Sequence, residues 1–404
     1  MTVEKVPARL IWALGLTQIV GYGTLYYSFG VLAPAMAEDF GISTDFVFGL
    51  LSGALLAGGA LAPKAGRWAD RYGAGRLMAP GSIAAALALA ALALASNIWL
   101  FSVALVAMEL ASVFVLYGTA FAALVQIGGA GGQRSITHLT LIAGFASTLF
   151  WPLTSGLQAV MDWREVYGVF ALMNLALCLP VHLWVASLSR RHEAPPSPRS
   201  PDPVTDARPA APIGIFPVML AGFALEGFVL SAILVHMVPL MGAVGAGSLG
   251  MLVPTLFGPS QVASRLLNMI FGGRLSQTLL ALISAGLLTF GALALLAGAP
   301  SAPGLVAFTI LFGLGSGLAS IVGGTLPLEL FGRAGYGARL GWITAARQVS
   351  AALAPFLFAV MMARLSVEGA IAGTIATAVA SLLCFGSIVF WQLRQKAAAA
   401  AAPA

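Results

Sequence analysis

Twelve apolar runs follow one another along this chain, at residues 9–35, 46–65, 77–96, 98–126, 136–159, 165–188, 213–241, 247–271, 277–299, 304–330, 341–362 and 369–392. A helix rises about 1.5 Å per residue, so about 20 apolar residues cross the hydrocarbon layer of a bilayer, and every run reaches that length. No water inside lipid can satisfy backbone N–H and C=O groups, so runs of this kind are helices. Only 8% of the 404 residues are charged, against about a quarter in a soluble domain. A soluble fold is excluded, and the expectation is an all-α membrane protein with twelve transmembrane helices.

The basic residues set the orientation. With the N-terminus inside, the cytoplasmic side receives all of the Lys and Arg except Arg164 and Arg364, which fall outside, and Arg265 and Arg347, which fall within spans. This is the positive-inside pattern. It predicts a multi-pass protein of the cell inner (plasma) membrane with both termini cytoplasmic. The net charge of +6 is scattered between apolar runs and forms no basic stripe, so no nucleic-acid partner is expected. The first run is too long for a signal-peptide core and reads as a retained span. Cys178 and Cys384 lie inside apolar runs and read as buried thiols.

The longest polar interruption is SRRHEAPPSPRSPDPVTDARPAAP, rich in Pro and charge, and it reads as a flexible cytoplasmic linker. The expected division is therefore a six-helix bundle at 1–188, a linker at 189–212, a second six-helix bundle at 213–393 and an Ala-rich cytoplasmic tail at 394–404. The halves carry a trace of a repeat. Aligning LAPKAGRWADRYGAGR (61–76) with PSQVASRLLNMIFGGR (259–274) matches Arg67 with Arg265, Asp70 with Asn268, Gly75 with Gly273 and Arg76 with Arg274. Both stretches stand at the exit of the second span of their half, a layout known from transporters built of repeats.

Within the first stretch, GRWADRYGAGR resembles the signature loop between spans 2 and 3 of the major facilitator superfamily, through Gly66, Asp70, Arg71, Gly73 and Arg76. Gly75 replaces one of the basic residues usual there. The resemblance implies two pseudo-symmetric six-helix bundles and a cytoplasmic latch at this loop. Asp70, at a helix end, is expected to accept hydrogen bonds from Arg71 or from a neighbouring helix terminus. The stretches IVGYGTLYYSFGVLAPAMAEDFG, LIAGFASTLFWPLTSGL, DWREVYGVFA and VASRLLNMIFGGR resemble bacterial members near the monocarboxylate and oxalate/formate porters. Span 5 lacks the Gly-Pro element of drug/proton antiporters and has Trp151-Pro152 instead.

Charge at bilayer depth costs about 2.5–3.5 kcal/mol and marks functional positions. Four residues qualify: Glu109, Glu226, Arg265 and Arg347. Arg265 lies nine residues before Arg274, about 13 Å along a helix. It either contacts substrate, as the resemblance implies for a span-8 arginine, or snorkels to the inner interface. Arg347 either binds substrate or pairs with Glu329. Two guanidinium groups on one cavity would grip a carboxylate. Glu226 and Glu109 are expected either to carry a coupled proton or to stand in ion pairs. The acidic residue usual one turn before the span-8 arginine is Gln261 here, and the span-1 lysine of monocarboxylate porters is absent.

Tyr22 and Tyr26 share one face of span 1 at i and i+4; with Gln18 and Asn268 they are polar candidates for substrate binding. His236 reads as a satisfied core histidine. GLGSGLASIVGG lies in span 10 with no preceding strand; its Gly313/Gly317 spacing suits close helix packing rather than phosphate binding. No metal-ligand cluster, cofactor motif or nucleophile–base pair stands out, so no enzyme is expected. The reading is a monomeric secondary transporter of a small organic anion, a monocarboxylate, moved by alternating access with protons as a possible co-substrate. Its alternatives are a proton-driven exporter of amphipathic or cationic compounds and a non-transporting membrane sensor.

Overall fold

The computed structural model describes residues 7–192, 211–212, 214–247, 252–272 and 275–401. All regular structure among them is helical, and every expected apolar run is a helix or a pair of helices. In chain order these are α1 (Ala8–Tyr22), a π-helical turn (Gly23–Tyr27), α2 (Ser28–Phe40), α3 (Thr44–Tyr72), α4 (Ala74–Ala93), α5 (Ile98–Val115), α6 (Tyr117–Gly128), α7 (Gly132–Ala143), α8 (Ala146–Gln158), α9 (Trp163–Met173), a second π turn (Asn174–Cys178) and α10 (Leu179–His192). There follow α11 (Ile215–Val235), α12 (Met237–Ala243), α13 (Leu252–Phe271), α14 (Gln277–Gly298), α15 (Ala302–Phe331), α16 (Tyr336–Arg364) and α17 (Val367–Ala401). The Pro-rich linker lies almost entirely outside the described residues. The Ala-rich tail continues α17 as helix to Ala401.

Ten of these helical stretches are long and apolar enough to cross a membrane. The other two expected spans are residues 8–40, divided by the first π turn, and α13, which carries Gln261, Arg265 and Asn268. Large apolar side chains cover the outside: Trp12, Leu87, Leu94, Trp99, Phe290 and Leu383 are each more than 60% exposed. In water such a surface would aggregate; in lipid it is the solvated face.

The described residues form two compact units, one holding the chain to α10 together with Phe331–Ala345, the other holding Ala211–Leu330 and the chain from Ala346. In the first unit α4 packs on α5, α9 and α10, around a core that includes Leu32, Phe101, Leu105, Tyr167 and Phe170. In the second, α17 packs on α11 and α14, and Phe308, Phe312 and Phe358 belong to the core. Lipid supplies no hydrophobic drive between helices, so contact depends on close approach over small residues. The expected Gly313/Gly317 packing is present: a Cβ at Gly313 would stand 3.0 Å from the Phe257 carbonyl, and one at Gly317 would collide with the Gln261 carbonyl and the Ser264 hydroxyl. That seam presses α13 onto α15 one residue before Arg265.

Helix ends are satisfied locally. Asp162 and Glu165 form a reciprocal capping box at α9. Ser276 caps α14, assisted by Glu329, which accepts from the Gln277 amide at 2.7 Å and the Thr278 hydroxyl at 3.1 Å. Arg164, one of the two basic residues expected outside, pairs with Asp39 at 2.6 Å and donates to the Ala95 carbonyl. Its charge is thus paired with a carboxylate.

Candidate functional site

The loop between α3 and α4 is built around one glycine and two side chains. Gly73 turns the chain at φ +89°, a conformation other residues rarely adopt. Gln126 of α6 spans this turn: its Nε2 donates to the Ala69 carbonyl at 2.9 Å and its Oε1 accepts from the Ala74 amide at 2.8 Å. Asp70 accepts from the amides of Gly337 and Ala338, both at 2.8 Å. These are unpaired donors of the first turn of α16, where the helix dipole also favours a carboxylate. Of the two partners expected for Asp70, the helix terminus is the one found; the Arg71 guanidinium lies over the Tyr72 ring at 5.3 Å. Gly66 permits the approach, since a Cβ there would strike the Gly337 carbonyl. Arg76 is half-buried behind the turn. Asp70, Val125, Gln126, Arg333 and Tyr336 line a cavity of about 190 Å³.

In the second unit one face of α15 carries Ser316, Ser320 and Gly323, at i, i+4 and i+7, and three polar side chains meet it in order. Gln261 Nε2 donates to Ser316 Oγ at 2.7 Å. Arg265 Nε donates to Ser320 Oγ at 3.1 Å. The Arg347 guanidinium lies 3.0 Å from where a Cβ of Gly323 would be. The two arginines therefore reach the same face of α15 three residues apart, about 5 Å along its axis. Arg265 is only 6% exposed, and its Nη1 is buried without a hydrogen-bond partner among the described residues. The group is turned into the unit, which speaks against snorkelling. No described residue hydrogen-bonds Arg347, and Glu329, its expected alternative partner, is engaged at the start of α14. A carboxylate can supply the paired acceptors that two such guanidinium groups lack.

In the first unit the backbone is irregular at the level of Tyr22. The π turn places Tyr27, at i+5, as close to Tyr22 (6.3 Å between ring centroids) as Tyr26 is at i+4 (6.5 Å). Tyr117 lies 4.6 Å from Tyr22. It opens α6 after a break at Leu116, where the chain turns extended. The break frees carbonyls, two of which are recaptured: Thr119 Oγ1 donates to Val113 at 2.8 Å and Gln18 Nε2 to Val115 at 2.8 Å.

The family follows from the sequence as a whole. The model of the Major Facilitator Superfamily matches residues 14–355. The chain belongs to this superfamily. No curated protein matches it in sequence. In three dimensions it is similar to the human organic anion transporter MFSD10 (TETRAN), with a TM-score of 0.74 and 13% identity over 94% of this chain and 100% of that one. It is also similar to the proton:xylose symporter XylE bound to 6-bromo-6-deoxy-D-glucose (TM-score 0.67, 13% identity, 95% and 97% covered). A third similar structure is the E. coli fucose:proton symporter FucP (TM-score 0.63, 15% identity, 93% and 97% covered). At these identities the likeness shows the fold.

As a member of the Major Facilitator Superfamily this chain is a multi-pass membrane transporter, and its polar residues can be sorted in that light. Gln18 is fully buried and committed through its amide to the break in the fourth span. Asn268, on the side of α13 that carries Gln261 and Arg265, turns its carbamoyl oxygen onto Gly272 just past the end of that helix. Glu226 is buried; Ser284 donates to its Oε1 at 2.8 Å, and it feels the charge of Arg347. Its neighbour Gly227 lies against the Arg347 backbone, 3.5 Å from a would-be Cβ to Cα. Glu109 is equally buried, yet its described donor is the Ser112 hydroxyl at a marginal 3.5 Å. His236 is half-buried, its Nδ1 3.1 Å from the Ala232 carbonyl and its ring 5.0 Å from Phe358, as a core histidine would be. Ser316, Ser320, Gly323, Gln126 and Tyr27 were not singled out by the sequence reading. The one legible signal was the four-residue spacing of Ser316 and Ser320 in phase with Gly313 and Gly317.

Proposed function

We propose that this transporter moves a small organic anion, a monocarboxylate, by alternating access in the inner membrane, working as a monomer with cytoplasmic termini. The observation that carries the reading is the approach of Arg265 and Arg347 to one face of α15, one of them buried with an unpartnered guanidinium nitrogen. Removing such a charge from water without a partner is costly, and a bound carboxylate offsets that cost. Ser320 and Gly323 act as positioning residues. Asp70 holds the start of α16 as the latch.

The two buried carboxyls divide the remaining work. Glu226 stands in the field of Arg347 and balances it when no cargo is bound. Glu109 carries the coupled proton. It is buried in the first unit, and the titratable group that faces it from a neighbouring helix is Tyr167 of α9, with no Lys, Arg or His paired to it among the described residues.

The test is uptake of labelled organic acids by the purified full chain in proteoliposomes. Arg265→Gln and Arg347→Gln should each abolish uptake of an acid that the unaltered protein accumulates. Unchanged uptake in both variants removes the anion assignment. A requirement for the glutamates alone, with cationic compounds as cargo, would favour proton-driven export.

A further inference from the structure

Two polar rungs join α13 to α15. Gln261 Nε2 donates to Ser316 Oγ at 2.7 Å, and Arg265 Nε donates to Ser320 Oγ at 3.1 Å. Residues four apart share a helix face. Gln261 therefore lies beside Arg265 on α13, as Ser316 lies beside Ser320 on α15. The rungs are about one turn apart, about 6 Å along the axis. All four residues, with Gly323 and Arg347, belong to the second unit.

The rungs differ in what they leave unused. Ser320 is committed twice, since it also donates to the Gly317 carbonyl at 2.7 Å. The Ser316 hydroxyl accepts one bond and makes no other among the described residues. A carboxamide offers two N–H donors and a carbonyl oxygen with two lone pairs. In either orientation of the amide, one bond to Ser316 leaves at least one donor and one acceptor of Gln261 unused. Gln126 is the contrast: holding the turn at Gly73, it uses its N–H and its carbonyl alike.

Position makes these unused groups informative. Gln261 stands at the middle of α13 and is half-buried. An amide group without a partner is destabilising in hydrocarbon, and polar side chains at this depth face a bundle interior or a wet cavity. Ser316 is buried on the face of α15 that carries Ser320 and Gly323. The unused groups of Gln261 and Ser316 thus adjoin the two guanidinium groups. Both residues of this rung are uncharged, so it suits a neutral group that donates and accepts at once, above all a hydroxyl.

We infer that Gln261 and Ser316 form a polar subsite for a hydroxyl of the cargo, about 6 Å beyond the carboxylate. The inference rests on the organic-anion reading and narrows it: the preferred monocarboxylates carry a hydroxyl at the far end of a short chain, not beside the carboxylate. An extended five-carbon acid places a terminal hydroxyl oxygen about 6 Å from its carboxylate carbon.

Equilibrium binding to the purified full chain, read by calorimetry, separates the two claims with four probes. In 5-hydroxypentanoate the carboxylate and hydroxyl stand at the required separation. Hexanoate has a methyl group in place of the hydroxyl, 2-hydroxypentanoate has the hydroxyl beside the carboxylate, and 1,5-pentanediol lacks the charge. The first acid should bind about tenfold more tightly than hexanoate or 2-hydroxypentanoate, as a well-made neutral hydrogen-bond pair allows. Gln261→Met, which keeps the bulk of the side chain, should erase that ratio, and Ser316→Ala should reduce it. Both variants should bind hexanoate as the unaltered protein does, which a misfolded chain could not show. Equal binding of 5-hydroxypentanoate and hexanoate by the unaltered protein overturns the subsite and leaves the anion reading intact. A preference that survives in both variants does the same, as does tightest binding of 2-hydroxypentanoate. If 1,5-pentanediol binds as tightly as 5-hydroxypentanoate, and Gln261→Met still loses the hydroxyl preference, the subsite stands and the anion reading falls. Failure of all four probes to bind overturns the inference, and the uptake of other acids then decides the anion reading alone.

Discussion

Arg265 donates its Nε to Ser320 Oγ at 3.1 Å, and that bond fixes the direction of a buried guanidinium whose Nη1 has no described partner. The serine hydroxyl is itself fixed, because it donates to the Gly317 carbonyl at 2.7 Å. Helix α15 thus presents an oriented acceptor to α13, and the Gly313/Gly317 seam keeps the two helices close enough for the bond to form.

Ser320→Ala should therefore misplace Arg265 without removing its charge. Hydrogen bonds to charged groups contribute about 1.5–3 kcal/mol, so KM for the transported acid should rise about tenfold or more, with the maximal rate reduced much less. The concentration dependence of uptake in proteoliposomes reads both. An unchanged KM, in a protein where Arg265→Gln is inactive, would show that the serine does not orient the arginine.

Gly323 sets how near Arg347 can come to α15. A methyl group at this position would stand 3.0 Å from Nη1, closer than ordinary van der Waals contact. The end of a long side chain yields easily, so Gly323→Ala should cost about threefold in apparent affinity and leave folding intact, a shift of ~0.7 kcal/mol. Gly323→Val demands a larger displacement and should cost more than the alanine. Equal affinities in all three proteins would place the working position of Arg347 elsewhere.

Hydropathy made the helices legible, because each span must hide its backbone in lipid and twelve long apolar runs have no other use. The orientation remains an expectation drawn from Lys and Arg alone; the pairing of Arg164 with Asp39 is a contact that no charge count contains. The interruptions within spans were not legible. The break at Leu116 persists because Thr119 and Gln18 recapture freed carbonyls, and Gln18 comes from a helix 97 residues away. Tyr22 and Tyr26 were paired by the period of an ordinary helix; the π turn brings in Tyr27, which that period places on another face. Ser320 looked like any small residue of a packing seam until Arg265 was found against it. At Asp70 the motif left Arg71 and a neighbouring helix terminus both open, and the partner found depends on a contact across 267 residues.

The first turn of α16 offers a prediction independent of cargo. Asp70→Ala removes both acceptors for the Gly337 and Ala338 amides, and loss of such a cap costs about 1–2 kcal/mol. Hydrogen exchange at these two amides should accelerate about tenfold. Arg71→Ala should leave them unchanged, since Arg71 lies on Tyr72 and takes no part in the cap. Mass-spectrometric exchange over residues 331–345 distinguishes the two. Slow exchange retained in Asp70→Ala would mean that another group holds the helix start.

Glu109 offers the last prediction, one of pH. In its neutral form the buried carboxyl costs the first unit little; ionised, it would need a cation that no described residue supplies. If it binds the coupled proton before cargo moves inward, uptake should rise as the external medium is made acidic and be driven by a gradient acid outside. Glu109→Gln mimics the protonated form at every pH. The variant should lose the response to the gradient and keep exchange of internal for external acid, because exchange needs no net proton release. Glu226→Gln, by contrast, leaves Arg347 without its balancing charge, so it should change affinity for the acid while the gradient response persists. Uptake measured at fixed internal pH against a series of external pH values, alongside exchange in the absence of a gradient, reads all of these. A gradient response intact in Glu109→Gln but abolished in Glu226→Gln would transfer the proton to the second unit.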